Sequence, residues 1–188
     1  MTKLFRYAGI AASVALIAFG IGAAVIGLNG HNRVGTELAR EQIVGTPDSS
    51  IAGQKVDTGA EAQAFAKVMR KHTLEATGGK TYAQMPQYLT ADGKGTADKA
   101  AAAKDPKSGA PVSNPARTIW VTETALTTAL NTAYFAESMA TFVIAMGFAL
   151  LLTGIGFLVL SLRVLRQPAA ESQKRAQPRT ASAVPVPH

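Results

Sequence analysis

The chain contains no cysteine, so disulfides, thiolate metal sites, covalent haem attachment and a lipidated N-terminal cysteine are all excluded. Aromatic residues make up only 6% of its 188 residues, and the part outside the apolar blocks is rich in Ala, Gly, Lys and Thr. Such a composition buries a modest core of its own and leans on other helices for stability. Charge is missing from two long runs: Tyr7 to Gly30 and Ser138 to Leu162 hold no Asp, Glu, Lys, Arg or His. Proton relays, ion pathways and transport sites inside a membrane are built from such groups, so their absence argues against a channel or transporter.

At ~1.5 Å per residue each run makes a helix longer than the ~30 Å hydrocarbon core of a bilayer. The first follows Lys3 and Arg6, as a signal peptide would, but it is longer than the ~7–15 apolar residues usual there. No small-x-small cleavage pattern precedes Asn29 to Arg33, so it reads as an uncleaved anchor. Arg163 and Arg166 follow the second run directly.

The net charge of +7 is distributed unevenly. Lys3, Arg6, Arg163, Arg166, Lys174, Arg175 and Arg179 flank the runs against the single acid Glu171, so the ends hold nearly all of the excess. Between the runs, acids and bases almost balance, which is a solvated mixed surface and predicts no nucleic-acid partner. Basic outer flanks place both termini in the cytoplasm, with the central segment extracytoplasmic. Tyr134 and Phe135 then fall at the outer interface and Phe5 and Tyr7 at the inner one, where amphipathic rings are favoured.

The expected fold is an all-α membrane protein with two transmembrane helices, the second continuing from a long extracytoplasmic helix, and a small helical outer domain. Its expected parts are a cytoplasmic N-terminus (1–6), a first span (7–30), an extracytoplasmic segment (31–137), a second span (138–162) and a disordered basic cytoplasmic tail (163–188). Asn114-Pro115 is a strong helix start, and no breaker follows before Pro168, so 115–166 reads as one helix. Thr36 to Ile43 favours helix, stopped by Gly45 and Pro47. Thr58 or Gly59 to Thr77 is a further helix with Ala64, Phe65, Val68, Met69, His72 and Ala76 on one face. Pro86 limits 81–89 to a turn or short helix, and about 90–113 reads as an exposed disordered linker with almost nothing to bury.

Small residues recur every seventh position in both spans: Ala8, Ala15 and Gly22 in the first, and Ala133, Ala140, Gly147, Gly154 and Ser161 in the second. Small side chains let helix backbones approach closely where lipid supplies no hydrophobic drive, so these eight are the candidate helix-packing interface. Ile119 and Leu126 extend the second seam outward.

Candidate chemistry is sparse. His72 and Glu75 lie three apart, as metal ligands in bundles do, but one pair is not a site, and a packed histidine hydrogen-bonded to a nearby helix fits better. The Thr-rich run 122–132 has hydroxyls but no accompanying base, and reads as helix packing. Ala76 to Lys80 lacks the spacing of a phosphate loop. His31, Glu123 and Glu137 have no sequence relation that would make them converge. Hence no catalytic residue, cofactor or metal is assigned.

The stretches Met69 to Pro86 (MRKHTLEATGGKTYAQMP) and Arg117 to Glu137 (RTIWVTETALTTALNTAYFAE) resemble a family of uncharacterised two-span actinobacterial membrane proteins. The likeness covers most of residues 5–165 and implies a location, the bacterial plasma membrane, rather than a reaction. Some relatives carry the label aromatic ring-opening dioxygenase, which these residues do not support. The expected role is a non-enzymatic accessory or scaffold protein, partnered by the lipid bilayer and by a membrane protein complex or a homo-oligomer. An extracytoplasmic ligand sensor or envelope-binding protein, and a metal-dependent envelope enzyme, are the alternatives.

Overall fold

The computed structural model describes the backbone of residues 2–166 and the side chains of 7–163. Residues 167–188, read above as most of a disordered tail, lie outside the described residues. All the long elements are helices, and two of them are apolar and long enough to span a membrane. They are α1 (Thr2–Arg40), α2 (Gly59–Ala76) and α3 (Pro115–Arg166), the last running unbroken for 52 residues.

The ends of these helices follow local chemistry. Asn114 caps α3 by accepting from Ala116 N at 3.1 Å, and its amide ties back to Pro86 O at 3.0 Å. Thr58 and Glu61 form a reciprocal capping box at the start of α2. Gly78 and Gly79, with φ of 61° and 76°, end α2 in the left-handed conformation. The helix expected over 36–43 instead merges with the first span and stops at Arg40. Gln42 takes a φ of 52°, which no helix continues, and Ile43 is released to accept a backbone bond from Val56 N at 2.9 Å.

By compactness the described residues divide into two units, 2–25 with 144–166, and 26–143. In the first, α1 and α3 run antiparallel, Gly9 lying opposite Ser161 and Gly20 opposite Gly147 and Leu151. In the second, Leu38, Ile51, Val56, Ala62, Ala66 and Leu130 form the buried core. Within it α2 runs antiparallel to α3, with Gly59 against Tyr134 and Glu137, and Thr77 against Trp120.

The segment 90–113 is exposed, as its composition predicts, but it is not a disordered linker. Tyr88–Leu89 (β1) pairs antiparallel with Gly95–Thr96 (β2), and backbone bonds link Leu89, Ala103 and Val112. Asp105 accepts from Lys107 N, Ser108 N and Ser108 Oγ. Backbone and Asx-type bonds organise this loop where apolar side chains are too few to do so, an order that hydropathy does not register.

Candidate functional site

The helix-packing interface lies where backbones come closest. A Cβ placed on Gly20 would sit 2.7 Å from Leu151 N and 2.8 Å from Gly147 O. One on Gly147 would meet Ala24 N at 2.7 Å and Gly20 O at 2.8 Å. One on Gly154 would meet the Ile17 side chain at 2.8 Å, then Ile17 N and Ser13 O, each at 3.0 Å. At Gly20 and Gly147 the neighbours are backbone atoms, which no rotamer change moves, so glycine is the side chain the packing permits there. Ser161 faces Gly9, and Ser13, fully buried, satisfies its hydroxyl by donating to Gly9 O at 2.7 Å. In the other unit Ala140 meets Gly30, with 3.5 Å between its Cβ and one built on the glycine.

On α3 the residues that face α1 are Ala140, Gly147, Gly154 and Ser161, while Ala133 packs beside the core of the second unit. The α1 seam is displaced. Ala8 and Ala15 are exposed, and a Cβ on Gly22 would find no atom within 4 Å. The residues facing α3 are instead Gly9, Ser13, Gly20, Ala24 and Gly30. Ser13, Gly20 and Gly27 repeat every seventh residue just as Ala8, Ala15 and Gly22 do, and all three are buried. The signal separating the two frames is glycine at two of three positions, since glycine permits a closer approach than alanine. The outward extension of the α3 seam also shifts: Ile119 and Leu126 are exposed, and Trp120, Glu123 and Leu130 are buried in their place. This half of α3 is the part that α2 packs against, Thr77 meeting Trp120 and Gly59 meeting Tyr134.

Glu137 joins α3 to the start of α2. Its carboxylate accepts from Gly59 N at 2.5 Å, and the same group lies 3.5 Å from His31 Nδ1 of α1. An anion at a helix N-terminus meets unpaired N–H groups and the positive end of the dipole. Replacing Glu137 with alanine removes a charge-assisted bond and should destabilise the first turn of α2 by about 1.5–3 kcal/mol. Hydrogen exchange of the amides at 59–62 measures this; unchanged protection in Glu137→Ala would refute the assignment.

His72 is half-buried, but it bonds the loop before α2 and not the nearby helix expected of it. Asp48 accepts from Lys71 Nζ at 2.8 Å, His72 Nε2 at 2.9 Å and Thr46 Oγ1 at 2.9 Å, tying loop 41–58 to α2. The Lys71 bond, then the His72 and Thr46 bonds, hold the Asp48 carboxyl well below the usual carboxylate range, and Asp48 raises Lys71. A carboxylate depressed by folding contributes stability that is complete above its unfolded pKa and is lost as pH falls from there towards the folded value. Asp48→Asn should thus narrow the gap in melting temperature between pH 6 and pH 3, by a small amount because the group is exposed and screened. An equal gap in both proteins would contradict the ion cluster. Glu75 reaches only Lys71, at 3.9 Å, and no group of three metal donors occurs among the described residues.

Thr132, Ser138, Thr141 and Thr153 of α3 bond carbonyls of their own helix, Thr132 Oγ1 donating to Thr128 O at 2.7 Å and Ser138 Oγ to Tyr134 O at 2.8 Å. Cavities open on the second unit. An apolar cleft of about 900 Å3 is lined by Val34, Leu38, Phe65, Leu126, Leu130 and Ala133 among others. A smaller one of about 540 Å3 lies between α2 and α3 around Glu123. Against known proteins, neither a family model, nor a curated protein, nor a solved structure matches this chain.

Proposed function

We infer that this chain is a non-enzymatic accessory or scaffold protein of the bacterial plasma membrane, anchored by α1 and α3 and docking through its 26–143 unit on a membrane complex or a second copy. The observation that carries this reading is the large apolar cleft, which is open at the surface of that unit. Its walls are helical and its lining is mostly aliphatic, the form in which one helix receives the apolar face of another. The close-packed glycines of the spans are occupied within the chain, which leaves large residues such as Phe19 (73% exposed) and Leu152 (67%) facing outward. Water-soluble proteins rarely expose apolar surface on that scale, whereas lipid solvates it. Flanking Lys3, Arg6, Arg163 and Arg166 support cytoplasmic termini by the positive-inside rule.

Purification in mild detergent through a C-terminal tag tests the role. A larger complex or a dimer is expected, and Ala133→Trp, which fills the cleft, should release it. A monomer at every protein concentration, or a complex indifferent to Ala133→Trp, would count against docking at the cleft. Resistance of the chain to carbonate extraction, and a cytoplasmic reporter at His188, test insertion and orientation separately.

A further inference from the structure

We propose that the smaller cavity, between α2 and α3, is a binding site for a small organic ammonium whose charge pairs with Glu123. Glu123 is only 4% exposed and lines this cavity of about 540 Å3, a volume in the range of small-molecule sites. Its carboxylate accepts one long bond, 3.3 Å from the hydroxyl of adjacent Thr124. Among the described residues no Lys, Arg or His comes within ion-pair distance of it. Arg70 of α2 lies over the neighbouring Trp120 ring, 5.2 Å from its centre.

A buried carboxylate without a counter-charge is costly, and a cation supplied from outside relieves that cost. The walls say which kind. Met69 and Ile119 offer apolar surface, while Thr73, Thr118 and Thr122 offer hydroxyl oxygens that accept ammonium N–H bonds. A hard divalent metal takes six or more oxygens, commonly with several carboxylates, and here there is one. An ammonium group on a short alkyl chain matches both the charge and the apolar wall.

The probe is n-butylammonium chloride, titrated calorimetrically into the full-length protein in a non-ionic detergent, with n-butanol as its neutral counterpart. Saturable binding of about one butylammonium per chain is expected, with butanol and Glu123→Gln each weaker by about tenfold or more. A phosphatidylethanolamine vesicle that competes with butylammonium, where phosphatidylglycerol does not, identifies a lipid headgroup as the source; no competition from either identifies a free amine. Absence of saturable binding, equal binding of butanol, or undiminished binding by Glu123→Gln overturns the proposal. Fluorescence of Trp120, the single tryptophan, reports folding next to the site. If Glu123→Gln does not fold, Ile119→Trp decides, because it fills the cavity and keeps the carboxylate: loss of binding supports the site and retained binding overturns it.

Discussion

Replacing Gly147 with leucine is expected to force α1 and α3 apart in the unit formed by residues 2–25 and 144–166. A single Cβ at this position already lies 2.7 Å from Ala24 N and 2.8 Å from Gly20 O, so the rest of the leucine has no space unless a helix moves. Overpacking of a close-packed contact costs about 1–3 kcal/mol, and backbone neighbours place this case at the upper end. Because the chain has no cysteine, the separation can be read directly from a designed pair. A Cβ on Gly9 lies 3.7 Å from Ser161 Cβ, inside the ~3.5–4.5 Å that a disulfide requires. Gly9→Cys with Ser161→Cys should therefore oxidise readily within one chain, and adding Gly147→Leu should lower that yield by about fivefold or more, since ~1 kcal/mol is already a factor of five. Gly22→Leu, placed where no atom lies within 4 Å, should leave the yield unchanged. Equal yields in the Gly147 and Gly22 variants would show that the contact is not the one that holds the pair.

The second large effect is expected at Trp120, which is 3% exposed and joins α3 to the end of α2. Its indole donates to Lys80 O at 2.9 Å and to Thr77 Oγ1 at 3.2 Å, and Arg70 covers the ring. Trp120→Ala should cost about 3–5 kcal/mol, the range for deleting a buried aromatic side chain. Measured by hydrogen exchange of the α2 amides in the full-length protein, that corresponds to roughly two to four orders of magnitude faster opening at 1.4 kcal/mol per tenfold. Trp120→Phe separates packing from hydrogen bonding. Lys80 O still accepts from Thr77 Oγ1 at 2.8 Å after the indole is gone, so no buried carbonyl is orphaned and the loss should be nearer ~1 kcal/mol. If alanine and phenylalanine cost the same, the ring contributes little and the hydrogen bonds decide.

Both variants act on contacts that also bear on the proposed role. The close-packed glycines are occupied by contacts within the chain, so the proposed docking rests on the cleft of the 26–143 unit. A Trp120 variant that loosens α2 should therefore also weaken docking there, since Phe65 of α2 lines the cleft. A Gly147 variant perturbs the span pair and tests anchoring instead.

Much of the framework was legible in the residues themselves. Asn114-Pro115 marks the start of α3, Thr58 with Glu61 and Gly78 bracket α2, and two charge-free runs announce helices long enough to span a membrane. These features are local: capping, backbone conformation and solvent preference are settled by neighbours along the chain. Which stripe of α1 meets α3 is not local. Ala8, Ala15, Gly22 and Ser13, Gly20, Gly27 share one period, and a period is the same for every frame around a helix. Only the backbone of the opposing helix selects among them, by arriving where a Cβ would collide. The order of 90–113 comes from backbone bonds between residues distant in sequence, and the burial of Glu123 from the side on which α2 settles against α3. In these cases the deciding atoms belong to another element, and tertiary packing alone brought them within reach.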